Sequence, residues 1–138
     1  MKGLEKKTIM LARKYEKNEF YLCAAHKYDQ AGKYKKAGMC FGKKEKYAGM
    51  EEMFKKAELG ITEILHLKSK IYFENKNYWL AAASLKEIST ISSLLKAKKI
   101  YQDKLQLNMA DECQEKINQI IYISNNNFFS QFHKKLIS

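Results

Sequence analysis

Proline is absent from this chain, and the 138 residues hold only six glycines, most of them between positions 32 and 60. Little therefore interrupts helical hydrogen bonding, which argues against a turn-rich β fold. Long apolar runs are missing too. The longest uncharged stretch expected to be buried, residues 78–85, falls far short of the roughly 20 residues that a membrane-spanning helix needs. Behind Met1-Lys2-Gly3-Leu4-Glu5-Lys6-Lys7 there is no apolar run or small-residue cleavage site. No membrane insertion or secretory leader is expected, and the chain reads as cytoplasmic or nuclear. Cysteine is sparse: Cys23, Cys40 and Cys113 are odd in number and far apart, which fits buried thiols and not a disulfide framework.

Arginine is nearly missing as well. Of 26 basic residues only Arg13 is arginine, and lysine lacks the planar fork suited to bidentate reading of bases, so sequence-specific nucleic-acid recognition is disfavoured. What is present is positive charge, net +11, and it is uneven. Residues 1–50 carry 13 basic and 5 acidic groups, net +8, whereas residues 51–138 carry 13 and 10, net +3. An anionic partner is expected on the N-terminal part. The content of 46% hydrophobic and 12% aromatic residues is enough for one folded core.

One pattern recurs four times. An aromatic residue is followed nine positions later by a small or flexible one: Tyr15 and Ala24, Phe41 and Met50, Tyr72 and Ala81, Tyr101 and Ala110. A polar stretch lies inside each pair, such as Lys17-Asn18 or Asn75-Lys76-Asn77. Two helices joined by a tight turn produce this pattern, the ring anchoring one helix while the small residue lets the other come close. Helices are expected over 4–17, 20–31, 34–44, 47–59, 61–75, 78–90, 92–104 and 107–122. Paired in order they make four hairpins; pairing that starts one helix later also fits Ala25, Tyr28, Tyr34, Ala37 and Phe41, but leaves a helix unpaired at each end.

The residues then resemble the tetratricopeptide repeat, which alternates large, small and aromatic positions on one helix with small, aromatic and small positions on the next. The alanine-rich stretch from Ala24-Ala25 to Ala31-Gly32 is also similar to the helical repeats of vesicle-fusion adaptor proteins. The likeness runs from about residue 4 to residue 121. The chain departs from it at Thr8, Lys68, Lys98 and Gln114, and its aromatics are 26, 31 and 29 residues apart, against a family period of about 34. The resemblance implies an all-α, right-handed superhelix of about four hairpins. It sets a repeat domain over 1–122, with 123–138 as a polar linker and C-terminal capping helix. Asn125-Asn126-Asn127 is expected to break the helical pattern there, and Phe128, Phe129, Phe132, Leu136 and Ile137 to form a short helix beyond it.

Catalytic and metal chemistry finds little support. Cys23 and His26 share a helix face, and Cys40 would complete at most three soft ligands, fewer than the two close ligand pairs of usual zinc sites. Cys23, His26 and Asp29 run in one line along a helix, which seldom gives the converging geometry nucleophilic catalysis needs. The segment from Gly38 to Gly42 with Lys43 and Lys44 is one residue short of a phosphate loop and lacks the following Ser or Thr, so Gly38 is read as a close-packing residue. Glu51-Glu52 and Asp111-Glu112 are adjacent and not facing, and Trp79 reads as packing. No cofactor, metal or catalytic residue is expected.

A binding module is expected instead. In stacked hairpins the first helix of each pair lines the concave face. In the first register Lys6, Arg13, Lys35, Lys70 and Lys99 would point into that groove and suit an acidic or extended peptide segment of another protein. A sequence-tolerant nucleic-acid-binding solenoid, or the repeat segment of a larger protein, are the other readings.

Overall fold

The computed structural model describes residues 2–137; Met1, Ser138 and the side chain of Ile137, which close the two ranges expected above, lie outside the described residues. Among the described residues the chain is all-α. Its helices are α1 (Lys2–Lys17), α2 (Tyr21–Gln30), α3 (Tyr34–Lys43), α4 (Tyr47–Lys56), α5 (Ile61–Glu74), α6 (Tyr78–Ile88), α7 (Ile91–Asp103) and α8 (Leu107–Ile137). Neighbouring helices pack as antiparallel hairpins, α1 on α2, α2 on α3 and α3 on α4, and, separately, α6 on α7 and α7 on α8, as the pairing of rings with small residues required. They divide into two compact units, Met1–Asn77 and Tyr78–Ser138.

The turns carry the local logic. Each of the seven connections holds one residue with positive φ: Glu19, Gly32, Glu45, Glu58, Lys76, Ser89 and Leu105. Such a residue ends a helix by letting the next amides turn back onto the last carbonyls. In five of the turns the returning amide bonds to the carbonyl of an aromatic residue five positions earlier. Phe20 donates to Tyr15 at 2.8 Å, Lys33 to Tyr28 at 2.8 Å, Lys46 to Phe41 at 3.0 Å, Asn77 to Tyr72 at 2.8 Å and Gln106 to Tyr101 at 2.7 Å. The recurring ring thus marks the last turn of a helix. Tyr15, Tyr28, Phe41 and Phe54 stand 13 residues apart, one per helix. Because the repeat is per helix, α2 packs on α3 as it does on α1, and α7 on α6 as it does on α8, so at these helices the two pairings that the sequence allows exist side by side.

In the first unit the core is built from small residues against rings. Ala12, Ala24, Ala25, Tyr28, Ala37, Cys40 and Met53 form one buried cluster, with Tyr15, Tyr21, Tyr34 and Phe41 packed around it. Gly38 faces Phe54 so closely that an added Cβ would stand 2.6 Å from the ring, which makes it the close-packing residue expected. Gly42 does the same for α5, where a Cβ would meet Ile71 at 2.8 Å. Asn75 ties the ends of α3 and α5 together, its side-chain amide donating to the Gly42 carbonyl at 2.8 Å and the Tyr47 hydroxyl at 3.1 Å.

In the second unit Ala82, Leu85, Ala97, Tyr101, Ala110 and Cys113 pack together. Thr90 starts α7 with a capping box, accepting from the Ser93 amide while the Ser93 hydroxyl accepts from the Thr90 amide at 3.0 Å. The positions that depart from the tetratricopeptide pattern find polar partners. Lys68 meets Glu51 at 2.6 Å, Lys98 donates to Gln114 at 2.7 Å, and the Thr8 hydroxyl donates to the Leu4 carbonyl at 2.9 Å.

Two expectations are corrected. The asparagine run does not break the last helix, and residues 123–137 are no linker: α8 continues through Ile137 as one helix of 31 residues. Asparagine is only a modest helix former, about 0.6 kcal/mol below alanine, and no proline or glycine is there to stop the ladder. Cys23 is exposed, unlike the buried Cys40 and Cys113. It lies on the outer side of α2, away from the buried Ala24, Ala25 and Tyr28.

Candidate functional site: a cationic hollow on the first three helices

Helical spacing alone assembles the site. Arg13, Glu16 and Lys17 lie within one turn on α1, Tyr21 and Tyr28 two turns apart on α2, and Lys36 and Lys43 two turns apart on α3. Because α2 packs against both neighbours, these seven side chains surround one hollow of about 460 Å³.

Its charge is lopsided. Four cations face a single carboxylate, Glu16, and that carboxylate is already engaged: the Tyr28 hydroxyl donates to Glu16 Oε2 at 2.8 Å. Among the described residues, none of Arg13, Lys17, Lys36 or Lys43 has an ion-pair partner within 4.0 Å. Two of the lysines rest on rings, Lys43 Nζ lying 4.7 Å from the Tyr21 centroid and Lys36 Nζ 5.7 Å from that of Tyr28. The rings hold the ammonium groups at the rim without neutralising them.

The titrating groups beside the hollow are shifted toward inertness. Burial, then the hydrogen bond and charge of Glu16, push the Tyr28 hydroxyl well above the ordinary phenol value, with Arg13 opposing. Burial first, and Glu16 second, push the Cys40 thiol up to about 11, with Lys43 and Lys36 pulling the other way. Both stay protonated at neutral pH, the reverse of what a nucleophile or general base requires.

Of the five groove residues expected from the sequence, only Arg13 enters this hollow. Lys35 pairs with Glu63 at 3.0 Å and lines a second shallow hollow with Lys33, Tyr34, Lys56 and its neighbour Lys36, which borders both hollows. Lys6 is exposed on α1 and Lys70 on α5; Lys99 is exposed on α7, in the other unit. Lys17, Lys36, Lys43, Tyr21 and Tyr28 were not anticipated. The 13-residue spacing of Tyr15, Tyr28 and Phe41 was the available signal, because it makes each helix a repeat and brings α2 between the cations of α1 and α3.

His26 is exposed and meets the Phe41 ring edge-on at 5.5 Å. Trp79, half exposed, meets Tyr101 edge-on at 6.0 Å. Among the described residues no three His, Cys, Asp or Glu side chains gather as metal ligands, and no helix is long and apolar enough to cross a membrane. Comparison of the chain with protein-family models, with curated proteins and with solved structures gives no match.

Proposed function

We propose that this chain is a helical-repeat binding module of tetratricopeptide type, with the right-handed superhelix of that family, whose hollow on α1–α3 captures an acidic, extended segment of another protein. The observation that carries the reading is the set of four cations, drawn from α1 and α3, around one hollow that holds a single carboxylate, Glu16, and so keeps a net positive charge. Charge of one sign in a concave setting attracts its opposite and fixes where it docks.

A peptide fits better than nucleic acid. Nonspecific binding of single strands relies on open aromatic faces for base stacking, and here Lys43 and Lys36 lie over the rings of Tyr21 and Tyr28. A catalytic role is disfavoured by the protonated Tyr28 and Cys40, and the reading is of a cytoplasmic or nuclear non-enzyme without cofactor.

The test is fluorescence anisotropy of a labelled peptide rich in Asp and Glu, titrated with the wild-type chain and two charge-matched triple variants. Arg13→Glu/Lys36→Glu/Lys43→Glu should bind at least about tenfold more weakly, since charge-assisted hydrogen bonds contribute about 1.5–3 kcal/mol each. Lys6→Glu/Lys70→Glu/Lys99→Glu should stay within about threefold of wild type, as dispersed exposed charges contribute little. Equal losses in both variants would reject the hollow. Tighter binding of random RNA, with a steep salt dependence, would favour the nucleic-acid reading.

A further inference from the structure

The hollow on α1–α3 does not end at its rim. Lys36 also borders the second shallow hollow, of about 410 Å³, which forms where the start of α3 meets the end of α4. Both hollows belong to the first unit, and the shared lysine joins them into one path across α1 to α4. On α3 the stretch from Lys43 back to Lys36 covers about 10 Å along the axis. An extended chain crosses that distance in about three residues.

The two halves of the path differ in chemistry. The first is lined by four cations, two tyrosine rings and Glu16. The second has no carboxylate in its lining, yet two of its lysines are already engaged: Lys35 meets Glu63 at 3.0 Å, and Lys56 meets Glu52 at 3.7 Å and Asp29 at 4.0 Å. What it adds is an apolar wall. Ala57 and Leu59, just past the end of α4, are half-buried there, and Lys56 Nζ lies 5.8 Å from the centroid of Tyr34 in the same lining. A leucine left partly open among ammonium groups suits an apolar side chain whose neighbours are negative.

We infer that the acidic segment held by the first hollow runs on past Lys36 into the second, and that it carries an aliphatic residue beside its acidic block, seated against Ala57 and Leu59. The inference rests on the reading of the first hollow as an acidic-peptide site, and it narrows the ligand. Charge alone draws in any polyanion, whereas an apolar anchor in a pocket discriminates among them. RNA has no aliphatic side chain to place against Leu59, so the second hollow favours a peptide.

The experiment is fluorescence anisotropy of two labelled peptides with the full chain. One is a short block of Asp and Glu flanked on each side by leucine, which makes the result independent of chain direction; its twin has serine in place of both leucines. The leucine peptide is expected to bind about threefold to tenfold more tightly, the gain from partly burying one leucine. Leu59→Ser should abolish that difference while binding the serine twin as the wild type does, which also shows that the variant is folded. In methyl NMR of the wild-type chain, Leu59 and Ala57 should shift with the leucine peptide and not with its twin. Equal binding of the two peptides by the wild type would overturn the inference and leave the first hollow standing. If neither peptide binds, both readings fall. An undiminished leucine preference in Leu59→Ser, or oligouridylate binding more tightly than the leucine peptide, would overturn the inference as well.

Discussion

Gly38 and Phe54 are locked together. A methyl at position 38 would stand 2.6 and 2.7 Å from two ring carbons of a fully buried phenylalanine and 3.2 Å from the Met50 carbonyl. Alanine favours a helix over glycine by about 1 kcal/mol, but overpacking a tight core costs about 1–3 kcal/mol. Gly38→Ala is therefore expected to lose about 1 kcal/mol in urea unfolding, and Phe54→Leu in the same chain to recover part of it. Thiols divide in the same way: Cys23 should react with a thiol reagent in the native state, Cys40 and Cys113 only on unfolding. The raised value of Cys40 has a sign in stability. Stability from its neutral form is fully present below about pH 9 and is lost as pH rises through about 11, so alkaline unfolding curves should flatten in Cys40→Ala. The tight role of Gly38 was legible from Tyr34, Ala37, Gly38 and Phe41 at helical spacing. The exposure of Cys23 was not, because cysteine alone does not say which face of a short helix it takes.

Every connection between helices uses one left-handed residue, yet only Gly32 among the seven is glycine. For any other L-residue that conformation costs roughly 1–2 kcal/mol. Glu45→Gly is expected to lose nothing and to gain up to about 1 kcal/mol, while Gly32→Ala should lose about 1 kcal/mol, both read from urea midpoints. Helix positions were legible to within a few residues since rings, small residues and polar turns mark them directly. The extent of α8 was not. Its last turns lack both a stop signal and a tertiary partner, so polar composition suggested a break where the backbone makes none.

At the scale of the whole molecule, the uneven charge was legible from composition, and so was its concentration in residues 1–50. Which cations converge was not, because Lys35 and Lys36 stand only about 100° apart around α3 and the sequence does not say which of them turns toward α2. The functional proposal rests on that convergence, and backbone amide NMR of the isotopically labelled chain during titration with the acidic peptide probes it directly. Saturating shifts centred on Arg13, Lys17, Tyr21, Tyr28, Lys36 and Lys43 are the expected result. Shifts of equal size at Lys6, Lys70 and Lys99, or none at those residues of the hollow, would contradict it.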